Sequence, residues 1–215
     1  GIELVAVAID SYAGVLEVGQ NYKYKKLADA LEKAVDGDAI RIYPGTYISD
    51  TAINIVKSNI TIEGVNKPEL FCRDLAENVF TITGSNVIIK NLHLKHKYPL
   101  NNEGCFGSVI GVYNAKNVTI VDCELDGCGA TGIHLYQCSN IMIAKNNIHH
   151  NTENAFYFVD IQEVRVIDNL IENNLSVIEV TVRKKEDIEF KNNNIRNNGN
   201  NSVVINIEPG RRHDR

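Results

Sequence analysis

Four segments of this 215-residue chain can be written one beneath another: NVTIVDCELDGC from Asn117, NIMIAKNNIHHN from Asn140, EVRVIDNLIENN from Glu163 and DIEFKNNNIRNN from Asp187. Their first apolar residues, Val118, Ile141, Val164 and Ile188, are 23, 23 and 24 residues apart. An earlier copy, NVIIKNLHLKHK, begins at Asn86, and NITIEGV at Asn59 is a shorter one. Eight residues before each of the four stands another apolar pair: Ile110/Val112, Ile133/Leu135, Phe156/Phe158 and Val180/Val182. A fixed period of this length confines the chain to a stack of small units.

Within a unit the apolar residues alternate over short, β-branched runs, as in GIHLY, IMIA and NIHH after Ala130. Alternation at period two predicts strands, so each unit is three short strands joined by corners. One such unit cannot bury its apolar face. Stacked on its neighbours at roughly 4.8 Å, it pairs its backbone and piles Ile, Val and Leu into one core. Asn146, Asn169 and Asn193 share a corner column headed by Cys123, and Asn151, Asn174 and Asn198 share another headed by Cys128. Asparagine tolerates left-handed backbone, and its stacked amides can hydrogen-bond from coil to coil. GCGATG at residues 127–132 imitates a phosphate-binding G-x-G-x-x-G. That motif must open a helix, and here a strand follows, so it is read as a corner.

With these repeats the chain resembles the pectate-lyase-like superfamily of right-handed parallel β-helices, and in particular the generic β-helix repeat of carbohydrate-binding and sugar-hydrolase domains. The repeat covers roughly residues 78–207. YKKLADALEKAVDGDAIRIYPGTY, from Tyr24, is similar to the leading segment of pectin esterases and uronate lyases. There Leu27, Leu31 and Ala34/Val35 share a helical face, with Gly37 as the stop. The expected fold is all-β: a single-stranded right-handed parallel β-helix of about six or seven coils with an N-terminal capping α-helix. It forms one domain, with residues 1–37 as leading segment and cap, 38–208 as β-helix and 209–215 as polar tail. The last strand edge needs cover from that tail or from a partner, including end-to-end or lateral self-association.

Composition narrows the partners. The net charge of −5 offers no phosphate-neutralising stripe, which excludes a nucleic-acid partner. No apolar run is long enough for a membrane-spanning helix. The five cysteines lack metal-type spacing and read as free thiols behaving as small hydrophobes. The resemblance implies a secreted or periplasmic setting.

The resemblance also implies that sugars lie across the outward face of the first strand in each coil. The outward residues there are Gly111/Tyr113, His134/Tyr136, Tyr157/Val159 and Glu179/Thr181/Arg183. Tyr113, Tyr136 and Glu179 are candidate polysaccharide-binding residues, because aromatic faces stack on sugar rings and polar tips orient hydroxyls. Tyr98 and Glu103, in the long insertion at 96–107, would overhang the same face. A uronate lyase or epimerase needs a base and a neutralised carboxylate; His134 or Tyr157 would serve as base and Arg183 as neutraliser. The acidic cluster of calcium-dependent pectate lyases, the aspartate triad of polygalacturonases and the paired aspartates with arginine of pectin esterases do not appear on this face.

The third-strand face offers a second chemistry. His93, Glu124 and Asn147 form one column, and Lys95, Asp126, His149, Glu172 and Arg196 the next. These columns read as an ion ladder, as an acid–base pair Asp126–His149, or as a divalent-metal site of His93, Glu124, Asp126 and His149. No other cofactor is implied. His93/His96 and His149/His150 alternate along their strands, so neither is expected to chelate as a pair. Two functions stay open: a carbohydrate-recognising protein with or without lyase or epimerase chemistry, and a non-catalytic structural, adhesion or partner-docking module.

Overall fold

The computed structural model describes residues 12–96, 105–127 and 129–208. Its strands pair in parallel with the strands one coil away, giving a parallel β-helix. First strands of successive coils are Ile53–Ile55, Phe80–Ile82 and Ile110–Tyr113, then the leading parts of Thr131–Ala144 and Asn154–Ile167, then Ser176–Val182 and Asn200–Ile207. Second strands run from Val15–Val18 through Ala39–Ile42, Ile60–Gly64, Val87–Lys90 and Lys116–Val121 to the trailing parts of the two long strands and Ile188–Lys191. Third strands form a separate seven-stranded sheet from Thr46–Ser49 to Asn194–Arg196. Among the described residues seven coils are therefore complete, with one further second strand.

Alternation decides which side is buried. Along Thr131–Ala144, Ile133, Leu135, Ile141 and Ile143 are almost wholly covered while Tyr136 faces solvent. Ile110, Ile133 and Phe156 stack in register, as do Val118, Ile141, Val164 and Ile188. One row departs from the sequence alignment. Asn154 pairs with Ser176, 22 residues on, whereas Val164 pairs with Ile188, 24 residues on. The two-residue difference is taken up between Ser176 and Ile188, a stretch that contains the 3₁₀ turn Lys185–Asp187. Residues 65–78, which break the sequence period, contain a regular third strand at Glu69–Cys72.

The helix spans Leu27–Lys33 and buries Leu27, Ala30 and Leu31 against the first coils. Ala34 is buried just beyond it, but Val35 faces solvent, because the chain becomes extended at Ala34 and leaves the helical face. The sheet begins ahead of the helix rather than after it: Val15–Val18 pairs with Ala39–Ile42. At the other end Val204 and Ile207 are exposed on the last strand, and the tail at 209–215 lies outside the described residues.

The asparagine columns carry amide ladders. Asn169 Oδ1 accepts from the backbone N–H and the Nδ2 of Asn146 at 2.9 and 3.0 Å, and Asn193 Oδ1 does the same for Asn169. Asn151, Asn174 and Asn198 repeat the pattern. The left-handed residues are not these but their predecessors: Lys145, Asp168 and Asn192, and His150, Asn173 and Asn197, all with φ between 55° and 58°. The turn is made one residue early, which frees the following asparagine to point inward. Cys72, Cys123 and Cys138 are buried free thiols. Burial pushes Cys72 up to about 11 and Cys123 up to about 12, so they pack as hydrophobes. Cys128 lies outside the described residues.

Candidate functional site

Parallel pairing puts Asn54, Thr81, Gly111, His134 and Tyr157 in one outward row across the first-strand sheet. Tyr113, Tyr136 and Val159 make the next. Pairing of Asn154 with Ser176 puts the strand that carries Glu179 one coil beyond Tyr157. The two rows interlock at Gly111. A Cβ there would lie 2.4 Å from Asn78 Nδ2 and 2.6 Å from Tyr113 Oη, so glycine leaves the space into which Tyr113 folds. Asn78 donates through Nδ2 to Thr81 Oγ1 at 3.0 Å and to Tyr113 Oη at 3.2 Å, and its Oδ1 accepts from the backbone of Ser108. Tyr113 Oη in turn lies 3.2 Å from His134 Nδ1.

That chain has a direction. Tyr113 accepts from Asn78 and keeps its own proton for His134 Nδ1, which leaves the imidazole hydrogen on Nε2. Burial lowers the His134 pKa, favouring the neutral ring. His134 stands between Tyr113 and Tyr157, edge-on to both at 5.2 and 5.0 Å. Its Nε2 is covered and has no hydrogen-bond partner among the described residues. Tyr136 and Tyr157 are the surface of this site, 40% and 47% exposed. Arg183 does not join them. It lies at the end of Ser176–Val182, where its Nη2 donates to Asp160 Oδ1 at 2.9 Å. Tyr98 and Glu103 fall outside the described residues. Asn78 and the role of Gly111 were not visible in the sequence; a glycine in a row otherwise polar or aromatic, two residues before a tyrosine, is the signal that points to them.

The third-strand sheet lines up Glu69, His93, Glu124 and Asn147, and beside them Phe71, Lys95, Asp126, His149, Glu172 and Arg196. The four residues expected to hold a metal lie together. His93 Nε2 is 3.8 Å from both Glu124 Oε1 and Asp126 Oδ2, and His149 Nε2 is 3.3 Å from Glu124 Oε1. His149 Nδ1 is 3.3 Å from Asp126 Oδ1. His150 joins them, contrary to the alternation argument. The strand ends at His149, and His150 is left-handed with φ 58°, which turns its ring back to the same side. The two rings meet edge-on, with their Nδ1 atoms 2.6 Å apart. Burial pushes the Asp126 carboxyl up, but the facing His93, His149, Lys95 and His150 outweigh it and hold the pKa below the ordinary value. His96, three residues from His93, points the other way and is fully buried.

The sequence model of the right-handed beta helix region matches residues 51–207, and the chain belongs to that family. Among solved structures it is similar to a pectin methylesterase mutant in complex with a hexasaccharide, at 12% identity and a TM-score of 0.50, over 85% of this chain and 78% of that one. It is also similar to a second pectin methylesterase–hexasaccharide complex (15% identity, TM-score 0.47) and to the pectin methylesterase PemA of Erwinia chrysanthemi (14% identity, TM-score 0.48). In each case the match covers 83% of this chain and 58% of the other. At these identities the likeness is one of fold. No helix among the described residues is long and apolar enough to cross a membrane.

Proposed function

We propose that the protein recognises a polysaccharide across its first-strand face, with Tyr136 and Tyr157 as the stacking surface. The observation that carries this reading is the pair of exposed tyrosines on adjacent coils, backed by the Asn78–Tyr113–His134 chain. Tyr157, packed edge-on against the His134 that this chain holds, loses little side-chain entropy on binding. Glu179, exposed on the next coil and accepting from Asn206 Nδ2 at 3.4 Å, would orient hydroxyls. Tyr98 and Glu103 would extend the contact from the insertion. A polysaccharide ligand also implies a secreted or periplasmic protein.

Lyase or epimerase chemistry is the second reading, and the neutral, oriented His134 favours it. It would require movement of Tyr157 to expose the covered Nε2, transfer of the ring hydrogen to Nδ1 so that Nε2 can accept a proton, and a carboxylate neutraliser other than the Arg183 engaged by Asp160. The test is a glycan array followed by titration calorimetry on pectate, alginate and glycosaminoglycans, with wild type and with Tyr136→Ala and Tyr157→Ala. Saturable binding lost in both variants supports recognition. Unchanged binding in both, or no binding to any glycan, overturns it in favour of a structural or docking module. Growth of ultraviolet absorbance from unsaturated uronate, abolished by His134→Gln, would establish the lyase reading.

A further inference from the structure

We propose that Asp126, His149 and His150 form a binding site for a divalent transition-metal ion of the Zn²⁺ class, through Asp126 Oδ1 and the Nδ1 atoms of both histidines. These three residues offer ligand atoms within 4.8 Å of one another. The two ring nitrogens face one another at 2.6 Å, a hydrogen-bond distance. A ring N–H on one histidine and a lone pair on the other satisfy that contact, so the two atoms share either that hydrogen or, with the rings moved apart, a metal ion.

The carboxylate selects between the two. Asp126 is 8% exposed, and its Oδ1 has no hydrogen-bond partner among the described residues while lying 3.3 and 3.4 Å from the two nitrogens. A shared proton would satisfy the nitrogens and leave that oxygen orphaned. A tetrahedral ion with bonds of roughly 2.0–2.1 Å has ligand–ligand edges of roughly 3.3–3.5 Å. Both oxygen–nitrogen edges already fit. The nitrogen–nitrogen edge opens by rotation of His150, whose side chain is 54% exposed and free to turn.

The surroundings fix the remaining valences. Glu124 Oε1 stands 3.3 Å from His149 Nε2, so it holds the other ring hydrogen and leaves Nδ1 as the ligating atom, the usual arrangement behind a metal-bound imidazole. Lys95 lies 3.6 Å from Asp126 Oδ2, which directs the other oxygen to the ion. Two imidazoles and one carboxylate suit Zn²⁺, Cu²⁺ or Ni²⁺ better than Ca²⁺ or Mg²⁺, which prefer oxygen sets. Three protein ligands leave a position open to water.

The experiment is calorimetric titration of tag-free protein with Zn²⁺, paralleled by Co²⁺ and its visible absorption in tetrahedral sites. One ion per chain at about micromolar or tighter affinity is expected. His150→Asn and Asp126→Asn should each weaken it by about 100-fold, the loss of one of three ligands being larger than that of an outer-shell partner. Asparagine already occupies this left-handed column at 173 and 197, so His150→Asn keeps the fold, and its metal-free melting temperature serves as the check. Wild type alone should melt higher with Zn²⁺. His134→Gln, on the other face, should bind the metal as wild type does. Absence of stoichiometric binding, or wild-type affinity in His150→Asn, overturns the site and leaves a hydrogen bond between the two rings. Neither result bears on glycan binding, which is read on the other face.

Discussion

The first-strand and third-strand faces are built on the same backbone pitch, yet they present opposite surfaces. First strands run into their second strands through continuous segments such as Thr131–Ala144, giving a broad sheet on which tyrosines lie open. Third strands are three or four residues long, and Asn147–His149, Leu170–Glu172 and Asn194–Arg196 are each followed by a left-handed residue. Their charged side chains crowd together, with His93, Lys95, Asp126 and His149 all largely covered. Strand length therefore sorts the chemistry. A long strand gives a platform for an extended ligand, and a short strand with a corner folds side chains around a point.

The sharpest way to break that contrast is to cross the two assays. Tyr157→Ala should weaken glycan binding by about 30-fold, the effect of losing a central aromatic anchor worth about 2 kcal/mol. Asp126→Asn should leave glycan affinity unchanged. A loss of glycan binding in Asp126→Asn, measured by the same calorimetry, would mean that the two faces are not independent. Gly111→Ala should come next in size. Its methyl group would strike Asn78 and Tyr113, expelling the tyrosine from its place beside His134. About tenfold weaker glycan binding and a stability cost of about 1–3 kcal/mol are expected. Full binding by Gly111→Ala would show that the hydrogen-bonded chain does not position the platform.

How far this could be read from the sequence follows from what a period encodes. Repetition gives the register, so the rows Glu124–Asn147 and Lys95–Asp126–His149 were legible residue by residue. It also gives the buried asparagine columns. Corners were less legible, because one left-handed residue reverses the alternation on which facing is judged. That is why His150 was set apart from His149. Asn78 was missed for another reason. It sits between strands, 35 residues before the Tyr113 hydroxyl it holds, where no periodicity marks it.

Acid should separate the faces further. Burial lowers the pKa of His134, and that of the inward-facing His96, below the ordinary 6.5. His96 also keeps Nε2 2.8 Å from the carbonyl of Glu77. Between those lowered values and 6.5 the unfolded chain binds more protons than the folded one, so stability falls as pH drops through that window. Asp126 is lowered from 3.8, and its contribution is intact above 3.8 and is lost only as pH falls further. Urea unfolding across pH should show His134→Gln flattening the upper window and Asp126→Asn the lower. If Asp126→Asn changed the slope above pH 5 instead, the assignment of these windows would be wrong.

The smallest effect belongs to the outer end of the third-strand ladder. Arg196 donates to Glu172 at 2.8 Å, but the arginine side chain is 52% exposed and the pair is open to salt. Exposed pairs of this kind contribute roughly 0.2–1 kcal/mol. Arg196→Ala should therefore shift the unfolding free energy by less than about 1 kcal/mol, and the shift should shrink in high salt. Glu172 is the ladder neighbour of His149, so the same variant asks whether charge travels along the column. If the ladder acts as a single electrostatic unit, Arg196→Ala will also change Zn²⁺ affinity two coils away. If each pair acts alone, as the short range of screened charges requires, metal binding will be indifferent to it, and the chemistry of this face is confined to the corner where His150 turns back.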